Sequence, residues 1–372
     1  MAATAIDEAS ILARFDELVS DGVVMYAEDM EKVYYEDQGF KFEFRITSAL
    51  ESKPAAVGDN AELDDANGGA DGGTHHTSSE TKVPGVGNGS ADASSSSSSN
   101  GTPRGIELDA GGCVPGGDIS IAGYEIGLVG GGAHVLSFNK FCAYRPHLML
   151  VTADGRRRQF EALDDADFGA AREVLMGLHR RGGGGGGVRQ EYLVIFNCGK
   201  KGGCSRLHKH MQVIPAPDAI PSWPDEAGPE GASGGRPGPP FRYFMHRFAG
   251  SLNGGSGGSG GGGGEAGELP SADELVRAYR RMLRQAAALV PGREGAVEES
   301  GAGGGREAAV PHNVLLGGRW MVVIPRVTDG VGEAGVNAAG MLGVVWAAGA
   351  ETVDKWKRLG PRRVLSEVGV RG

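Results

Sequence analysis

Residues 196–215 read FNCGKKGGCSRLHKHMQVIP, and the end of that stretch sets how the rest of the chain is read. His208, His210 and Gln212 stand two apart. That spacing puts three side chains on one face of a β-strand and leaves Lys209 and Met211 on the other. Two imidazoles and an amide on one face suit a phosphoryl or nucleotidyl centre. One ring can act as nucleophile while its neighbours donate hydrogen bonds or hold its tautomer. In the loop just before, Gly199, Gly202 and Gly203 permit positive φ and let successive N–H groups turn toward an anion. Lys200, Lys201 and Arg206 add positive charge, and Ser205 adds a hydroxyl. A polyanionic substrate fits that set. A zinc site of Cys198, Cys204, His208 and His210 is the competing reading, but C-x5-C-x3-H-x-H is not a usual structural-zinc spacing, and no metal ligands are assigned.

Around this segment the apolar pattern switches between periods of two and 3.6. FKFEFRI (40–46) alternates as a half-buried strand does, and 134–138, 147–152, 192–196 and 210–214 are further strands. Residues 165–179 and 271–289 carry helical periodicity, the second behind Pro270 and a Ser271/Glu274 capping box. Residues 313–316 and 320–324 are expected to pair as a hairpin across Gly317 and Gly318. Strands and helices without strict alternation predict an α+β fold.

Of the 372 residues, 66 are glycine, concentrated in five tracts near 58–116, 182–187, 225–239, 250–267 and 292–305. Their Gly, Ser, Pro and acidic content cannot bury enough apolar surface to offset ordering entropy, so they are expected to be disordered loops. Loop closure cost rises slowly with length, so a compact domain tolerates them. The formal net charge of −10 argues against a broad nucleic-acid-binding surface. Four cysteines do not make a disulfide framework in a chain this long and fit a reducing compartment. The first twenty residues read as an amphipathic helix through Ile11, Leu12, Phe15, Leu18 and Val19, not as a signal peptide. No apolar run reaches a membrane span; the longest, 341–350, is short and Gly-interrupted. No membrane partner is expected, and the cytoplasm is the expected compartment, with the nucleus as the alternative.

The segment 196–212 resembles the histidine-triad-related branch that includes galactose-1-phosphate uridylyltransferase and the diadenosine tetraphosphate (Ap4A) phosphorylases, also called ATP adenylyltransferases. Those phosphorylases carry a pattern like F-N-x-G-x-x-S-G-x-S-x-x-H-K-H-x-Q. Phe196, Asn197, Gly199, Gly203, Ser205, His208, Lys209, His210 and Gln212 match it without a gap, with Gly202 in place of a Ser. FKFEFRITSALESKP (40–54), SFNKFCAYRPHLMLVT (137–152), NVLLGGRWMVVIPR (313–326) and GVNAAGML (335–342) resemble further segments of the same family. His312 stands where a Tyr is common in that family, and Tyr243 where it often has His.

The resemblance implies a HIT-like antiparallel sheet with flanking helices, interrupted by Gly/Ser-rich loops. An N-terminal adenylyltransferase domain would span 1–223 with an insert at about 58–116. A C-terminal domain at 240–372, with inserts at about 250–267 and 292–305, would complete the fold. It implies a ping-pong phosphorolysis of Ap4A to ADP and ATP, reversible, in which His210 forms an adenylyl-histidine. His208, Gln212 and Ser205 would assist it. Lys53, Asn139, Lys140, Asn197, Gly203, Cys204, Arg206, Asn313, Met321 and Arg326 would hold nucleotide and phosphate. The partners would be a dinucleoside polyphosphate, ATP, ADP and inorganic phosphate. No covalent cofactor is required, and a divalent cation, Mg2+ or Mn2+, accompanying the substrate is left open. The alternatives are a HIT-type hydrolase, which typically has a third His where this chain has Gln212, and a nucleotide-binding homologue without turnover.

Overall fold

The computed structural model describes residues 6–51, 105–179, 190–218, 220, 222–227, 238–248, 268–300 and 306–372. In chain order the elements are α1 (Glu8–Ser20), β1 (Glu31–Asp37), β2 (Phe40–Ile46), β3 (Glu125–Val129), β4 (His134–Phe138), β5 (Leu148–Thr152) and α2 (Asp165–Leu178). Then come β6 (Tyr192–Cys198), β7 (His210–Pro215), α3 (Trp223–Glu226), β8 (Phe244–Arg247), α4 (Ala272–Ala287), β9 (Glu298–Ser300), β10 (Arg306–Ala308), β11 (His312–Leu316) and β12 (Trp320–Pro325). The chain ends with β13 (Gly330–Val331), β14 (Ala334–Gly335), α5 (Ala338–Leu342), β15 (Val344–Ala347), α6 (Ala350–Leu359) and α7 (Pro361–Val368).

Eight strands form one antiparallel sheet in the order β3-β4-β5-β7-β6-β11-β12-β8. β7, which begins at His210, lies well inside it, between β5 and β6. β6 then pairs with β11, so strands from both halves of the chain share this sheet. Both faces are covered, which is why β6 is apolar nearly throughout. Val194 and Phe196 join the core formed with α2 and α4, whereas Leu193 and Ile195 join the core formed with β2, α6 and α7. The Phe168 and Tyr279 rings, 5.5 Å apart, tie α2 to α4. Each of these helices starts on a capping box, at Asp164/Asp167 and Ser271/Glu274, which satisfies amide groups the helix itself leaves unpaired. A smaller sheet, β1-β2-β15, has β15 parallel to β2.

The α+β expectation holds, and so does the β11–β12 hairpin, closed by Gly317 N–H donating to the Trp320 carbonyl at 2.9 Å. Among the described residues no helix is long and apolar enough to cross a membrane.

Three tract boundaries need correction. The tract expected to reach 116 ends earlier, because residues 105–116 pack on the sheet with Val114 buried. Asp109 organises their turn by accepting the N–H groups of Gly111 and Cys113 at 2.8 and 3.0 Å. Residues 225–227 close the short α3 helix, and 292–300 include β9, paired with β10. Glycine content over a wide window hid a few apolar and turn-forming residues that suffice to anchor the ends of these tracts. The tracts at 182–187 and 250–267 lie outside the described residues, as do 58–104, 228–237 and 301–305.

Candidate active site

The protonation state of the His210 ring follows from one hydrogen bond. His210 Nδ1 lies 2.8 Å from the main-chain carbonyl of His208. A carbonyl only accepts, so Nδ1 carries the proton and Nε2 carries the lone pair. The residue is 7% exposed. Its peptide groups are also claimed: Gln159 Oε1 accepts the His210 N–H at 2.7 Å, and Gln159 Nε2 donates to the His210 carbonyl at 3.0 Å.

Two residues along β7, Gln212 is oriented by His147. His147 Nδ1 accepts the Ala143 N–H at 3.5 Å, so Nε2 bears the hydrogen and donates to Gln212 Oε1 at 2.8 Å. With its oxygen taken, the amide of Gln212 is set as a donor through its nitrogen. The His147 ring is braced edge-on by Tyr144 and Trp346, at 5.7 and 5.2 Å. Asn139 Nδ2 lies 3.3 Å from His147 Nε2, a contact between two donors and not a hydrogen bond in this tautomer, and Asn139 Oδ1 accepts the Phe141 N–H. Lys140 beside it is exposed.

His208 is placed differently from the expectation that its ring faces the phosphate. The imidazole is fully buried, and Nε2 donates to the Thr152 carbonyl at 2.9 Å. Its Nδ1 has no hydrogen-bond partner among the described residues and lies against Gly117, where a Cβ would sit only 2.3 Å away. Burial holds the ring below the usual histidine pKa, outweighing the Thr152 carbonyl and Asp118, which act the other way. β7 proper begins only at His210, and His208 instead bridges to Arg158. Its contribution to the centre is the carbonyl that fixes His210. Asp118 secures this turn by accepting the N–H groups of Leu207 and His208, each at 2.8 Å.

The Gly-rich loop sits beside β7. Gly199 and Gly203 have φ of 69° and 84°, and a Cβ at Gly203 would meet the Val336 carbonyl at 2.3 Å. At Gly202 a Cβ would meet the His312 carbonyl at 3.0 Å, so the close approach of β11 suits glycine there. Gly203, Cys204, Ser205 and Arg206 are half-buried along the loop. Arg206 caps it by donating to the Ser205 carbonyl at 2.8 Å.

Three residues expected to touch nucleotide are internal. Asn313 is fully buried and donates to Asn197 Oδ1 at 3.0 Å and to the Gly202 carbonyl at 2.7 Å. Arg326 is spread over the carbonyls of Val368, Gly202, Thr328 and Val336 and over Asn313 Oδ1. Burial lowers its pKa to about 9, with Asp329 opposing. Met321 is wholly buried in the core under α4. Asn197, 4% exposed, also has its Oδ1 committed, to Asn313 and to the Ala338 N–H at the start of α5. Together Asn197, Asn313 and Arg326 moor the loop to the C-terminal elements. Lys53 lies outside the described residues.

On the opposite face of β7, Lys209 is 1% exposed and donates to Asp167 Oδ2 at 2.6 Å and to the Ala162 carbonyl at 2.7 Å. His134 Nε2 meets the other carboxylate oxygen at 2.9 Å. Burial would raise the Asp167 pKa, but His134 and Lys209 together hold it below the ordinary carboxylate range.

Gln159, His147, Thr152 and Asp118 are the members of this site that the sequence did not disclose. Each is a single polar residue far from the HKHMQ segment, with no local periodicity to mark it. Cys198 Sγ turns to the Phe160 carbonyl at 3.5 Å and His208 to Thr152, so the competing zinc set does not converge. Among the described residues no group of three or more His, Cys, Asp or Glu is placed to hold a metal ion.

Comparison with known proteins bears on the fold and the family. Over 92 residues the chain is 37% identical to diadenosine 5',5'''-P1,P4-tetraphosphate phosphorylase 2 of Saccharomyces cerevisiae, an alignment that spans 24% of this chain and 27% of the yeast protein. The crystal structure of yeast Ap4A phosphorylase Apa2 superposes with a TM-score of 0.60 at 18% identity, covering 98% of this chain and 97% of that one. The structure of Apa2 in complex with Ap4A gives a TM-score of 0.58 at 17% identity, with the same coverage. At such identities the likeness establishes the fold. Residues 130–224 match the model of the Ap4A phosphorylase N-terminal domain, and residues 237–371 match that of the ATP adenylyltransferase C-terminal domain. With more than half of its length accounted for by these two matches, and with the HKHMQ strand inside the first, the chain belongs to the Ap4A phosphorylase/ATP adenylyltransferase family.

Proposed function

We propose that the protein splits Ap4A with inorganic phosphate into ADP and ATP, and runs the reverse reaction, through an adenylyl group carried on His210. The observation that carries this reading is the His210 Nδ1–H bond to the His208 carbonyl, which sets the Nε2 lone pair as the nucleophile. In the first step Nε2 bonds to the α-phosphorus and the bond to the bridging oxygen breaks, releasing ATP. The ring becomes a cation, which the His208 carbonyl stabilises through Nδ1–H. In the second step a phosphate oxygen bonds to the same phosphorus and the P–N bond breaks, releasing ADP and restoring the neutral ring. No proton leaves Nδ1 in either step.

Ser205, the N–H groups of Gly203 and Cys204, and Lys140 are proposed to neutralise charge on the transferring phosphoryl oxygens, with the amide nitrogen of Gln212 as a neutral donor beside them. Gln212 also favours phosphate as acceptor. An amide cannot take a proton from water, whereas phosphate dianion needs no base. A divalent cation would enter with the polyphosphate, and the expected compartment remains the cytoplasm. Yeast Ap4A phosphorylase has been crystallised with Ap4A and with AMP, in keeping with this substrate class.

The test is incubation with Ap4A in phosphate buffer and in phosphate-free buffer, with products separated. ADP plus ATP, formed only with phosphate, is expected. AMP plus ATP in both buffers would make the protein a hydrolase. No turnover in either, with AMP still bound, would leave a nucleotide-binding homologue.

A further inference from the structure

We infer that Gln159 is the positioning residue of the nucleophile: its side-chain amide takes the place of a strand neighbour at His210 and sets the distance between the attacking ring and the Gly-rich loop. The inference rests on the transfer reaction proposed above and extends it to a residue that never meets substrate.

Ladder register is the first observation. β6 and β7 pair as far as Ile195 opposite Gln212. Two residues further, the same register would oppose Asn197 to His210. That rung is absent, and Gln159 lies in its place. Its Oε1 accepts the His210 N–H at 2.7 Å, and its Nε2 donates to the carbonyls of His210 and Asn197, each at 3.0 Å. One amide thus supplies both bonds that an antiparallel neighbour would give His210 and ties it to the opposing strand.

The main chain of Gln159 is the second observation. Its N–H donates to the Leu207 carbonyl at 2.8 Å, and its carbonyl accepts the Gly199 N–H at 3.1 Å. The ends of the loop that opens at Gly199 and returns at Leu207 therefore rest on the residue that also holds His210. The carbonyl of nearby Arg157 accepts the Lys209 N–H at 3.0 Å, so this segment is joined to 207–209 by an antiparallel bridge at Arg158 and His208. Gln159 is 2% exposed, so loss of its amide would leave buried peptide groups without partners.

The chemistry makes this placement more than structural. In-line transfer requires Nε2 and the loop donors to address the same phosphorus at once, and a misplacement of about 1 Å can cost on the order of a hundredfold in rate. Substrate contacts made by the loop alone would survive a small shift of His210. Gln159 should therefore control the chemical step far more than binding.

The experiment uses the full-length protein with Gln159→Met, which matches the length without hydrogen bonds, and Gln159→Glu, which keeps the acceptor and loses both donations. Leu283→Ala, in the core of α4, serves as a comparator for general destabilisation. Rapid-mixing measurement of labelled AMP transfer to protein should show the first step slowed about a hundredfold in both Gln159 variants, with KM for Ap4A and Kd for AMP within about threefold. Leu283→Ala should melt lower and keep its rate. Gln159→Glu answers the question alone if Gln159→Met does not fold. A rate within about threefold of wild type, or a loss matched by Leu283→Ala, overturns the inference. The His210 Nδ1 proton resonance provides a reading independent of turnover: it should move in the Gln159 variants, and an unmoved signal also overturns the inference. If the wild-type protein forms no adenylyl adduct, the transfer reaction falls, and the resonance alone decides the placement.

Discussion

His210 and His208 meet through a ring and a carbonyl, not through two rings: His210 Nδ1 donates to the His208 carbonyl at 2.8 Å while the His208 imidazole turns away to Thr152. The two histidines of HKHMQ are therefore unequal. His210→Ala should lower turnover by about a thousandfold or more, as loss of a covalent nucleophile does, while AMP binding survives. His208→Ala keeps the carbonyl and removes a buried ring, so it should lower the melting temperature and cost at least tenfold less activity than His210→Ala. Steady-state rates set beside melting curves check this; equal losses of activity would show that the His208 ring takes part in the reaction.

Lys209 and Asp167 form an ion pair buried beneath the strand that carries His210. Lys209→Met should destabilise the protein by about 3–5 kcal/mol, because a buried carboxylate is left with His134 as its remaining side-chain partner. Lys209→Met combined with Asp167→Asn should recover part of that loss. Denaturant unfolding measures both, and a single-variant cost below about 1 kcal/mol would contradict the assignment.

His312 makes folding sensitive to acid. Its Nδ1–H donates to the Val310 carbonyl and its Nε2 accepts from the Tyr279 hydroxyl, so the folded ring is neutral. Burial pushes its pKa down from 6.5 to about 4, with the Val310 bond opposing. Above pH 6.5 the ring is neutral both folded and unfolded, and contributes no pH dependence. As pH falls from 6.5 toward 4, the unfolded chain binds a proton that the folded chain refuses, so stability drops, by about 3 kcal/mol in all. Unfolding free energy measured across that range should fall in wild type and fall less steeply, by about one proton, in His312→Phe.

Arg326 reaches the carbonyls of Gly202, Thr328, Val336 and Val368, and a lysine cannot reproduce that fork. Arg326→Lys should lower the melting temperature by several degrees and leave KM for Ap4A within about threefold when assayed well below melting. An unchanged melting temperature with a tenfold higher KM would instead put Arg326 on the substrate.

What the sequence disclosed follows from locality. The period of two in HKHMQ, the glycines before it and the capping boxes at Asp164 and Ser271 are short-range patterns, and family resemblance linked them to a HIT-like α+β fold that the structure bears out. Resemblance names a residue at a position but not the direction it faces, so it assigns Asn313, Met321 and Arg326 to the ligand although the structure buries them. Gln159, Asp118 and His147 act across tens of residues, where no period exists to find them. Composition averaged over the tract ending at 116 likewise concealed the turn at Asp109 and the buried Val114 next to it.

The β6–β11 pairing also has a consequence for the birth of the protein. Asn197 emerges from the ribosome 116 residues before its side-chain partner Asn313. At about 5–20 residues per second, the outer edge of β6 waits roughly 6–23 seconds for β11. During that interval the nascent chain already carries HKHMQ and offers an apolar, unpaired strand to any neighbour. HKHMQ is thus synthesised early while its sheet is completed late, and a chain ending before Asn313 should expose the unpaired edge of β6 and aggregate.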